Sequence, residues 1–241
     1  MSQSDRYARQ RRIPELGDHG QERLQESSVA VVGLGALGSV AAEILCRGGI
    51  GTLLLIDRDC LELSNLQRQS LYTESDARGG APKAEAAAAR LRAINGEIEI
   101  LPLVEELTTR NARRLLSSAD ITVDGTDNSY ARYALNDACL SLGIPWVHGA
   151  ATATYGVVLS ISPEGRPCFR CYRPPTQGGE EAGCAVTGVL SPTTHIVAAR
   201  QAAETMRFLV TGTGGSGLLY IDPWYRIEQR LDVAADPDCS R

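Results

Sequence analysis

The stretch Val29–Gly38, VAVVGLGALG, decides the fold of this chain. Its apolar residues predict a buried strand, and the glycines at 33, 35 and 38 predict a tight turn into a helix. A second apolar run ends at Asp57, 19 residues after Gly38. In nucleotide-binding folds the backbone N–H groups of such a turn face phosphate, and an acidic residue about 20 positions later binds a ribose hydroxyl. The pattern therefore predicts a nucleotide site formed by Gly33, Gly35, Gly38 and Asp57, and taken alone it favours a nicotinamide dinucleotide.

The composition fits one large α/β domain or one domain with an appended subdomain, because the chain has 241 residues and 43% of them are hydrophobic. A net charge of −5 offers no long-range attraction to nucleic acid or to an anionic membrane. The first residues lack an apolar run of signal-peptide length, and the apolar stretch 29–45 is interrupted by glycines, Ser39 and Glu43. We therefore expect a cytoplasmic protein that binds neither membranes nor nucleic acid.

Runs typical of strands alternate with runs typical of helices along residues 28–150. The predicted strands are 28–33, 52–57, 97–102, 120–124 and 145–150, and the predicted helices are 36–48, 82–94, 109–117 and 128–142. This alternation predicts an α/β fold with a Rossmann-like, mostly parallel sheet flanked by helices. Before it, residues 1–27 are expected to form a helical arm. After it, residues 151–241 carry predicted strands at 155–161, 218–222 and 225–232 and a helix at 192–210, and they are expected to form an antiparallel C-terminal extension of a single domain, 1–241.

A polar segment, 59–69, follows the second predicted strand, at the edge where open parallel sheets bind ligands. A solvated connection is the alternative interpretation. Lys83 begins the next predicted helix, where a cation opposes the helix dipole, so either an anionic ligand explains it or it faces solvent at a small energetic cost. Together, Arg68 and Lys83 carry more positive charge than a nicotinamide site needs, but they suit a triphosphate.

Two carboxylates, Asp124 and Asp127, follow the fourth predicted strand in the sequence DGTDN. Such a pair can bind Mg²⁺ with a nucleotide, because Mg²⁺ prefers one or two carboxylates, retained waters and phosphate oxygens. The alternative is helix capping, in which Asp127 or Asn128 begins the following helix. Neighbouring residues can serve both roles.

Seven cysteines in a chain without an export signal favour metal binding or thiol chemistry over a disulfide framework. Cys46 and Cys139 fall in helical patterns and are expected to be buried. The three histidines, His19, His148 and His195, are expected to have core or capping roles.

In its order of motifs the chain resembles the ThiF/MoeB/HesA-type adenylyltransferases, bacterial relatives of ubiquitin-activating enzymes. The matching elements are RYARQ at 6–10, the glycine loop 33–38, DRD at 57–59, SNLQRQ at 64–69, GAPK at 80–83, TDN at 126–128, the Cys168/Cys171 pair and the segment around Cys184. Each motif alone is weakly specific. Their joint occurrence over nearly the whole chain is specific.

The resemblance implies that ATP meets the C-terminal glycine of a small ubiquitin-like sulfur-carrier protein ending in Gly-Gly, with 28–150 as the nucleotide-binding part and 151–241 as the carrier-binding part. The glycine carboxylate attacks the α-phosphate to give an acyl-adenylate and pyrophosphate, for sulfur transfer in thiamin, molybdopterin or related biosynthesis. The residue roles that the resemblance implies are Asp57 on the ribose, Arg68 and Lys83 on the phosphates, Asp127 on Mg²⁺, further nucleotide contacts from Asp59, Asn65, Gln69 and Asn128, and Arg9 reaching the neighbouring subunit's phosphates in a homodimer.

The resemblance also implies a structural zinc ion. Cys168 and Cys171 form half of a tetrahedral site, which the family completes with a second Cys-x-x-Cys pair near the C-terminus. Here Cys239 is present and the sequence stops where the second cysteine would fall, so the fourth ligand is not in the sequence. Cys184 matches a thiol that joins the carrier covalently in some family members, and a bystander thiol is the alternative.

Three other functions stay open on the sequence alone. An adenylating enzyme acting on RNA, like the tRNA threonylcarbamoyladenosine dehydratases, disagrees with the acidic net charge and with the Cys168/Cys171 pair. A nicotinamide dehydrogenase leaves Arg68, Lys83 and Asp127 without a task. A binding module that has lost turnover would not need these three residues.

Overall fold

A computed structural model describes residues 6–174, 187–237 and 239. Within them, eight strands form one sheet in the order β3-β2-β1-β4-β5-β6-β7-β8. The strands are β1 Ser28–Val32, β2 Thr52–Ile56, β3 Glu99–Leu103, β4 Ile121–Asp124, β5 Trp146–Thr152, β6 Tyr155–Ile161, β7 Leu218–Asp222 and β8 Ile227–Leu231. The helices are α1 Gly17–Glu26, α2 Gly38–Gly48, α3 Glu74–Arg78, α4 Lys83–Ile94, α5 Ala112–Leu116, α6 Ser129–Leu142, α7 Phe169–Tyr172 and α8 Ser191–Thr211, with a 3-10 turn at Leu63–Asn65.

The first five strands are parallel, and the last three continue the sheet in antiparallel order. This arrangement confirms the predicted α/β fold with an antiparallel extension. In the central register, Val32 lies opposite both Ile56 and Asp124, so β1, β2 and β4 end at the same edge of the sheet. The loops that follow these strands carry the glycines, Asp57 and Asp127, and the topology therefore brings the predicted nucleotide residues together.

Alternate residues of β1 enter two apolar cores on opposite faces of the sheet, as the two-residue period of a strand requires. Val29 and Val31 pack against α2, α4 and α8, whereas Ala30 and Val32 pack against α5 and α6. Helices on both faces explain why the central strands are continuously apolar.

The predicted N-terminal helical arm is only partly helical. Residues 6–16 form turns, and α1 begins at Gly17. The turns are anchored to the body of the domain: Tyr7 is buried, and Asn95 donates a hydrogen bond to its hydroxyl over 2.8 Å. Pro14 and the positive φ of Gly17, +61°, account for the interruption, because neither suits the interior of a helix.

Candidate active site

Two glycines of the loop after β1 are required by packing. Gly33 has φ +83°, and a Cβ atom there would lie 2.6 Å from the carbonyl oxygen of Gly125. A Cβ atom on Gly38 would lie 1.8 Å from the carbonyl oxygen of Gly33. Both side chains would overlap backbone, so the tight turn needs glycine at these two positions.

Gly35 differs from these two glycines, because packing leaves room beside it. A Cβ atom on Gly35 would meet only the Gln69 side-chain nitrogen, at the ordinary van der Waals distance of 3.7 Å. Gln69 itself is 3% exposed, and its Oε1 atom has no hydrogen-bond partner among the described residues. An open space lined by glycine backbone and an unsatisfied amide is a cradle that a polar ligand can fill.

Asp57 fixes the shape of this loop. One carboxylate oxygen accepts the Leu34 N–H over 2.6 Å, and the other accepts the Asp59 N–H over 2.8 Å. Tyr72 donates its hydroxyl to the Leu34 carbonyl over 2.8 Å, so both backbone groups of Leu34 are held by side chains. Burial raises the pKa of Asp57, and the two backbone hydrogen bonds oppose that rise. The remaining lone pairs of the carboxylate stay available to a ribose hydroxyl.

Lys83 has a negative partner within the chain, which the sequence did not predict. Its ammonium lies 2.9 Å from an Asp59 carboxylate oxygen, and its backbone N–H donates to the Asp59 carbonyl over 2.9 Å. The Lys83 side chain is 10% exposed and that of Asp59 is 54% exposed. The solvent-facing alternative does not hold, because the Lys83 side chain is mostly buried and Asp59 from the neighbouring loop stabilises it; an anionic ligand stays a prediction. A phosphate placed here would share Lys83 with Asp59.

Arg68 is half-buried after the 3-10 turn, and its guanidinium donates to the Ser64 carbonyl over 3.2 Å. Within the described residues it forms no ion pair with a carboxylate. Asn65, predicted to contact the nucleotide, accepts the Glu62 N–H over 3.2 Å and so closes the turn. The polar segment after β2 is thus an ordered turn that presents one cation with spare donors.

The predicted pair of metal-binding carboxylates does not form. Asp124 is fully buried and accepts a hydrogen bond from His148 over 2.7 Å, so its carboxylate points away from the sheet edge. Asn128 caps α6 by accepting the Ala131 N–H over 2.9 Å, which was the alternative interpretation for this motif. Of the two carboxylates, Asp127 is the one that is exposed at the edge. Among the described residues, Asn128 alone donates a hydrogen bond to it, over 3.3 Å.

Arg58 is a neighbour of Asp127 that the sequence analysis did not single out. Glu106, 2.7 Å away, raises the pKa of the Arg58 guanidinium, and the charges of Asp59 and Asp127 add to this effect. Its position directly after Asp57 was the available signal. The structure thus brings Asp57, Asp59, Lys83 and Asp127 to the same edge as the glycine loop.

Arg9 lies far from the site of its own chain. Arg6, three residues before it, donates to the carbonyl of Ile94 at the last turn of α4, and Gln10 donates to the carbonyl of Gly48 at the end of α2. Lys83 begins α4, and the 11 residue steps from Lys83 to Ile94 span about 16 Å at 1.5 Å per helical residue. The exposed Arg9 side chain therefore lies toward the opposite edge of the sheet.

Three of the predicted metal ligands are close together. The sulfur atoms of Cys168, Cys171 and Cys239 lie within 4.8 Å of one another, with Cys168 3.9 Å from Cys171 and 3.5 Å from Cys239. A tetrahedral zinc ion with Zn–S bonds of about 2.3 Å places its sulfur ligands about 3.8 Å apart. The arrangement therefore suits a structural zinc ion with one further ligand. Cys184, the predicted reactive thiol, lies outside the described residues.

The remaining cysteines and histidines were predicted to lie in the core or to cap helices, and their exposure tests these predictions. Cys46 and Cys139 are fully buried, as predicted, and so is His148, whose ring lies against Phe169. His195 is in the first turn of α8, where its Nδ1 lies 2.9 Å from the Ser191 carbonyl oxygen. His19 is exposed on α1, which has no side-chain cap at its start, so the expected core or capping role is wrong for this histidine.

A cavity of about 330 Å³ opens at the other edge of the sheet, where the strands begin. Arg23, Asp120 and Phe208 are among its lining residues. It is separate from the glycine loop, which lies where β1 ends. Among the described residues, none of the helices combines the length and the apolar character needed to cross a membrane.

The chain matches the model of the ThiF family over residues 7–241. The sulfur carrier protein ThiS adenylyltransferase of Bacillus subtilis is 40% identical over 230 residues, which are 95% of this chain and 68% of that protein. The SAMP-activating enzyme E1 of Haloferax volcanii is 39% identical over 241 residues, covering 99% of this chain and 88% of that enzyme. The adenylyltransferase and sulfurtransferase MOCS3 of Arabidopsis thaliana is 42% identical over 205 residues, and this chain spans only 43% of it.

The fold also has solved counterparts. A crystal structure of Escherichia coli MccB with MccA-N7isoASN superposes with a TM-score of 0.86, at 22% identity, covering 100% of this chain and 74% of MccB. At that identity the likeness concerns the fold alone.

Proposed function

This chain belongs to the ThiF family and is an adenylyltransferase, and we propose that it uses ATP to adenylate the C-terminal glycine of a small ubiquitin-like sulfur-carrier protein. The observation that carries the proposal is the open space beside Gly35, bordered by the Gln69 side-chain nitrogen and followed along the chain by Arg68, which forms no ion pair among the described residues. A triphosphate supplies acceptors for the N–H groups of Gln69 and Arg68, whereas a hydroxyl or a water would donate to the unsatisfied Gln69 Oε1. The order of motifs along the chain, which resembles that of the ThiF/MoeB/HesA-type adenylyltransferases, and the names of the relatives support the same chemistry.

The nucleotide would be held by groups at the end of β1 and β2. The carboxylate of Asp57 keeps lone pairs for a ribose hydroxyl, and the backbone of the glycine loop faces the phosphates. Arg68 would bind phosphate oxygens directly, and Lys83 would turn part of its hydrogen bonding from Asp59 to phosphate. Gln69 would donate from its amide beside Gly35.

Asp127 fits a magnesium ion that arrives with ATP. It is an exposed carboxylate at the sheet edge, and a single carboxylate with phosphate oxygens and waters is a ligand set that Mg²⁺ accepts. The ion would neutralise charge on the leaving pyrophosphate. Asp124 is not part of this proposal, because its carboxylate is buried.

In the proposed reaction, an oxygen of the carrier's terminal carboxylate forms a bond to the α-phosphorus. The bond from that phosphorus to the bridging oxygen breaks, and pyrophosphate leaves with the electron pair. The products are a carrier acyl-adenylate and pyrophosphate. The chain's part is to position the two reactants and to place Arg68 and Lys83 where negative charge develops.

An exposed apolar face on β6, β7 and β8 is the proposed docking surface for the carrier. Tyr155 and Tyr220 stack with ring centroids 5.4 Å apart, and Ile227 and Leu231 lie on the same face of the sheet. Trp224 in the β7–β8 turn is two-thirds exposed. β7 ends at the edge where β4 and β5 end, so a protein bound here can extend its tail toward Asp127. Exposed aromatic clusters of this kind are typical of protein interfaces.

We further propose a homodimer in which Arg9 of one chain serves the other chain's site. Arg9 is exposed and lies toward the edge away from its own glycine loop, so only a second copy could bring it to phosphate. We also propose that Cys168, Cys171 and Cys239 bind a structural zinc ion, that Cys184 forms a covalent link to the carrier, and that the protein acts in the cytoplasm.

The test is the mass of the carrier after incubation with this chain, ATP and MgCl₂. We expect a carrier ending in Gly-Gly to gain the mass of one adenylyl group, AMP less one water, while an equal amount of pyrophosphate is released. A carrier lacking its last glycine is the matched control and gains nothing. If the chain binds ATP but no Gly-Gly carrier ever gains AMP, the proposed substrate is wrong.

A further inference from the structure

Two buried side chains and one that is mostly buried, from different elements, converge below the loop that carries Asp127. They are Asp124 at the end of β4, Arg132 on α6 and His148 on β5. Their side chains are 0%, 13% and 2% exposed, respectively. The His148 Nδ1 lies 2.7 Å from one Asp124 carboxylate oxygen, and the Arg132 Nε lies 3.5 Å from the same oxygen. The carboxylate is the acceptor, so Nδ1 of His148 carries the proton.

This cluster holds both backbone groups of Thr126. The other Asp124 carboxylate oxygen accepts the Thr126 N–H over 2.9 Å and its hydroxyl over 2.7 Å. Arg132 donates to the Thr126 carbonyl over 2.9 Å. Thr126 is thus fixed from both sides by charged groups, and charge-assisted hydrogen bonds are stronger than neutral ones.

Asp127 lies between two residues that are held in place. Thr126 is fixed by the buried cluster, and Asn128 is fixed as the N-cap of α6. Asp127 itself receives only the 3.3 Å contact from Asn128 among the described residues. Its carboxylate therefore has few contacts of its own, and its location depends on its neighbours.

The backbone of β4 is fixed at the same point by α8. Gln201 donates to the carbonyls of Asp124, over 2.7 Å, and Val147, over 3.1 Å. A Cβ atom on Gly149 would lie 2.3 Å from the Gln201 side chain, so glycine at 149 is what admits this amide. The cluster is thus attached to a rigid part of the sheet.

We propose that Asp124, Arg132 and His148 are positioning residues for the adenylation reaction, which set the location of the Asp127 carboxylate relative to the glycine loop. The inference rests on the proposed function, in which Asp127 binds Mg²⁺ with ATP. A displacement of about 1 Å at a reacting centre can lower the rate by about a hundredfold, so residues that never touch ATP can still control its metal-bound complex.

The experiment measures the dissociation constant of ATP by calorimetry with MgCl₂ and again with EDTA, in the full chain. For each variant, the dissociation constant in EDTA is divided by the dissociation constant in MgCl₂. This ratio is the gain in ATP affinity that Mg²⁺ brings, and it reports how well Asp127 holds the metal. We expect Arg132→Met to lower this ratio by about tenfold or more, while its affinity for AMP in EDTA stays unchanged because AMP depends on Asp57 and the glycine loop. The matched control is Arg90→Met, which removes another arginine–aspartate pair, to Asp76, that makes no hydrogen bond to the loop carrying Asp127 among the described residues.

Two substitutions of His148 separate positioning from stability. Leucine is close to histidine in volume but removes the donor to Asp124, whereas the amide of His148→Asn can replace the Nδ1–H donor but leaves a cavity. We expect His148→Asn to keep the magnesium-dependent ratio and His148→Leu to lose it, whatever their unfolding temperatures.

The results divide as follows. The positioning role is overturned if, of His148→Asn and His148→Leu, the variant with the higher unfolding temperature keeps the magnesium-dependent ratio, whether or not it retains the hydrogen-bond donor. It is also overturned if the ratio is unchanged in Arg132→Met. A wild-type chain that binds ATP without any gain from Mg²⁺ overturns the metal assignment in the proposed function, and the positioning role with it.

Discussion

Replacing Gly35 with alanine separates binding from folding more cleanly than replacing Gly33 or Gly38. The new Cβ atom would meet only the Gln69 side-chain nitrogen, at 3.7 Å, and Gly35 is not at positive φ. We therefore expect the free energy of unfolding to change by less than about 0.5 kcal/mol, since no strain or overlap is introduced. The methyl group would instead occupy the space assigned to phosphate.

The expected loss of ATP affinity follows from the hydrogen bonds that the methyl group prevents. A hydrogen bond to a charged group is worth about 1.5–3 kcal/mol, so losing one or two of them weakens ATP binding by a factor between about 10 and about 20,000. The assay is calorimetric titration with ATP, beside thermal unfolding of the same samples.

Two further glycines serve as controls for Gly35→Ala. A Cβ atom on Gly96, before β3, meets nothing within 4 Å, so Gly96→Ala should bind ATP normally. Gly38→Ala should instead unfold at lower temperature, because its Cβ atom would overlap the Gly33 carbonyl at 1.8 Å. Normal ATP affinity in a folded Gly35→Ala variant would refute the assignment of this space to phosphate.

Three other outcomes are expected. Metal analysis of the purified chain should find about one zinc ion per chain, and Cys171→Ser should lower both the zinc content and the unfolding temperature; equal zinc in both would contradict the three-thiolate site. Trp224→Ser should raise the KM for the carrier by about 30-fold, the effect of a hot-spot aromatic, with the KM for ATP unchanged, whereas Leu101→Ser on β3 should change neither. Burial lowers the pKa of His148, so below the ordinary histidine pKa of about 6.5 the unfolded chain binds a proton that the folded chain does not. The free energy of unfolding should then fall by up to about 1.4 kcal/mol for each pH unit below that value. Chemical denaturation between pH 7 and pH 5 should show a smaller fall for His148→Asn than for the wild-type chain. Equal slopes of the unfolding free energy against pH would contradict a neutral buried His148.

The order of strands and the glycine loop could be predicted because both depend on local pattern. Apolar runs alternate with helical runs, and glycines stand where the turn needs them, at Gly33 and Gly38. These features need no knowledge of which distant side chains meet. The clustering of Cys168, Cys171 and Cys239 does need such knowledge, because 71 positions separate the first from the last, and it was predicted from the resemblance to the family.

The direction in which an individual carboxylate points could not be predicted, because it depends on contacts with residues that are distant in the sequence. Asp124 and Asp127 stand three positions apart, but only the arrival of His148 and Arg132 decides that Asp124 turns inward. Likewise, the partner of Lys83 comes from another loop, through a pairing of residues 59–61 with 81–83 that no periodic pattern announces. Long-range contacts of single polar residues carry no signal in a local sequence pattern.

ATP–pyrophosphate exchange, measured with and without a carrier ending in Gly-Gly, tests adenylation most directly, because label enters ATP only if the acyl-adenylate forms reversibly. We expect exchange only when the carrier is present. We expect the exchange rate to decrease by at least about a hundredfold in Asp127→Ala, because a metal-stabilised phosphate contact is lost. Exchange that is equally fast without the carrier, or unchanged in Asp127→Ala, would contradict the proposed reaction at this site.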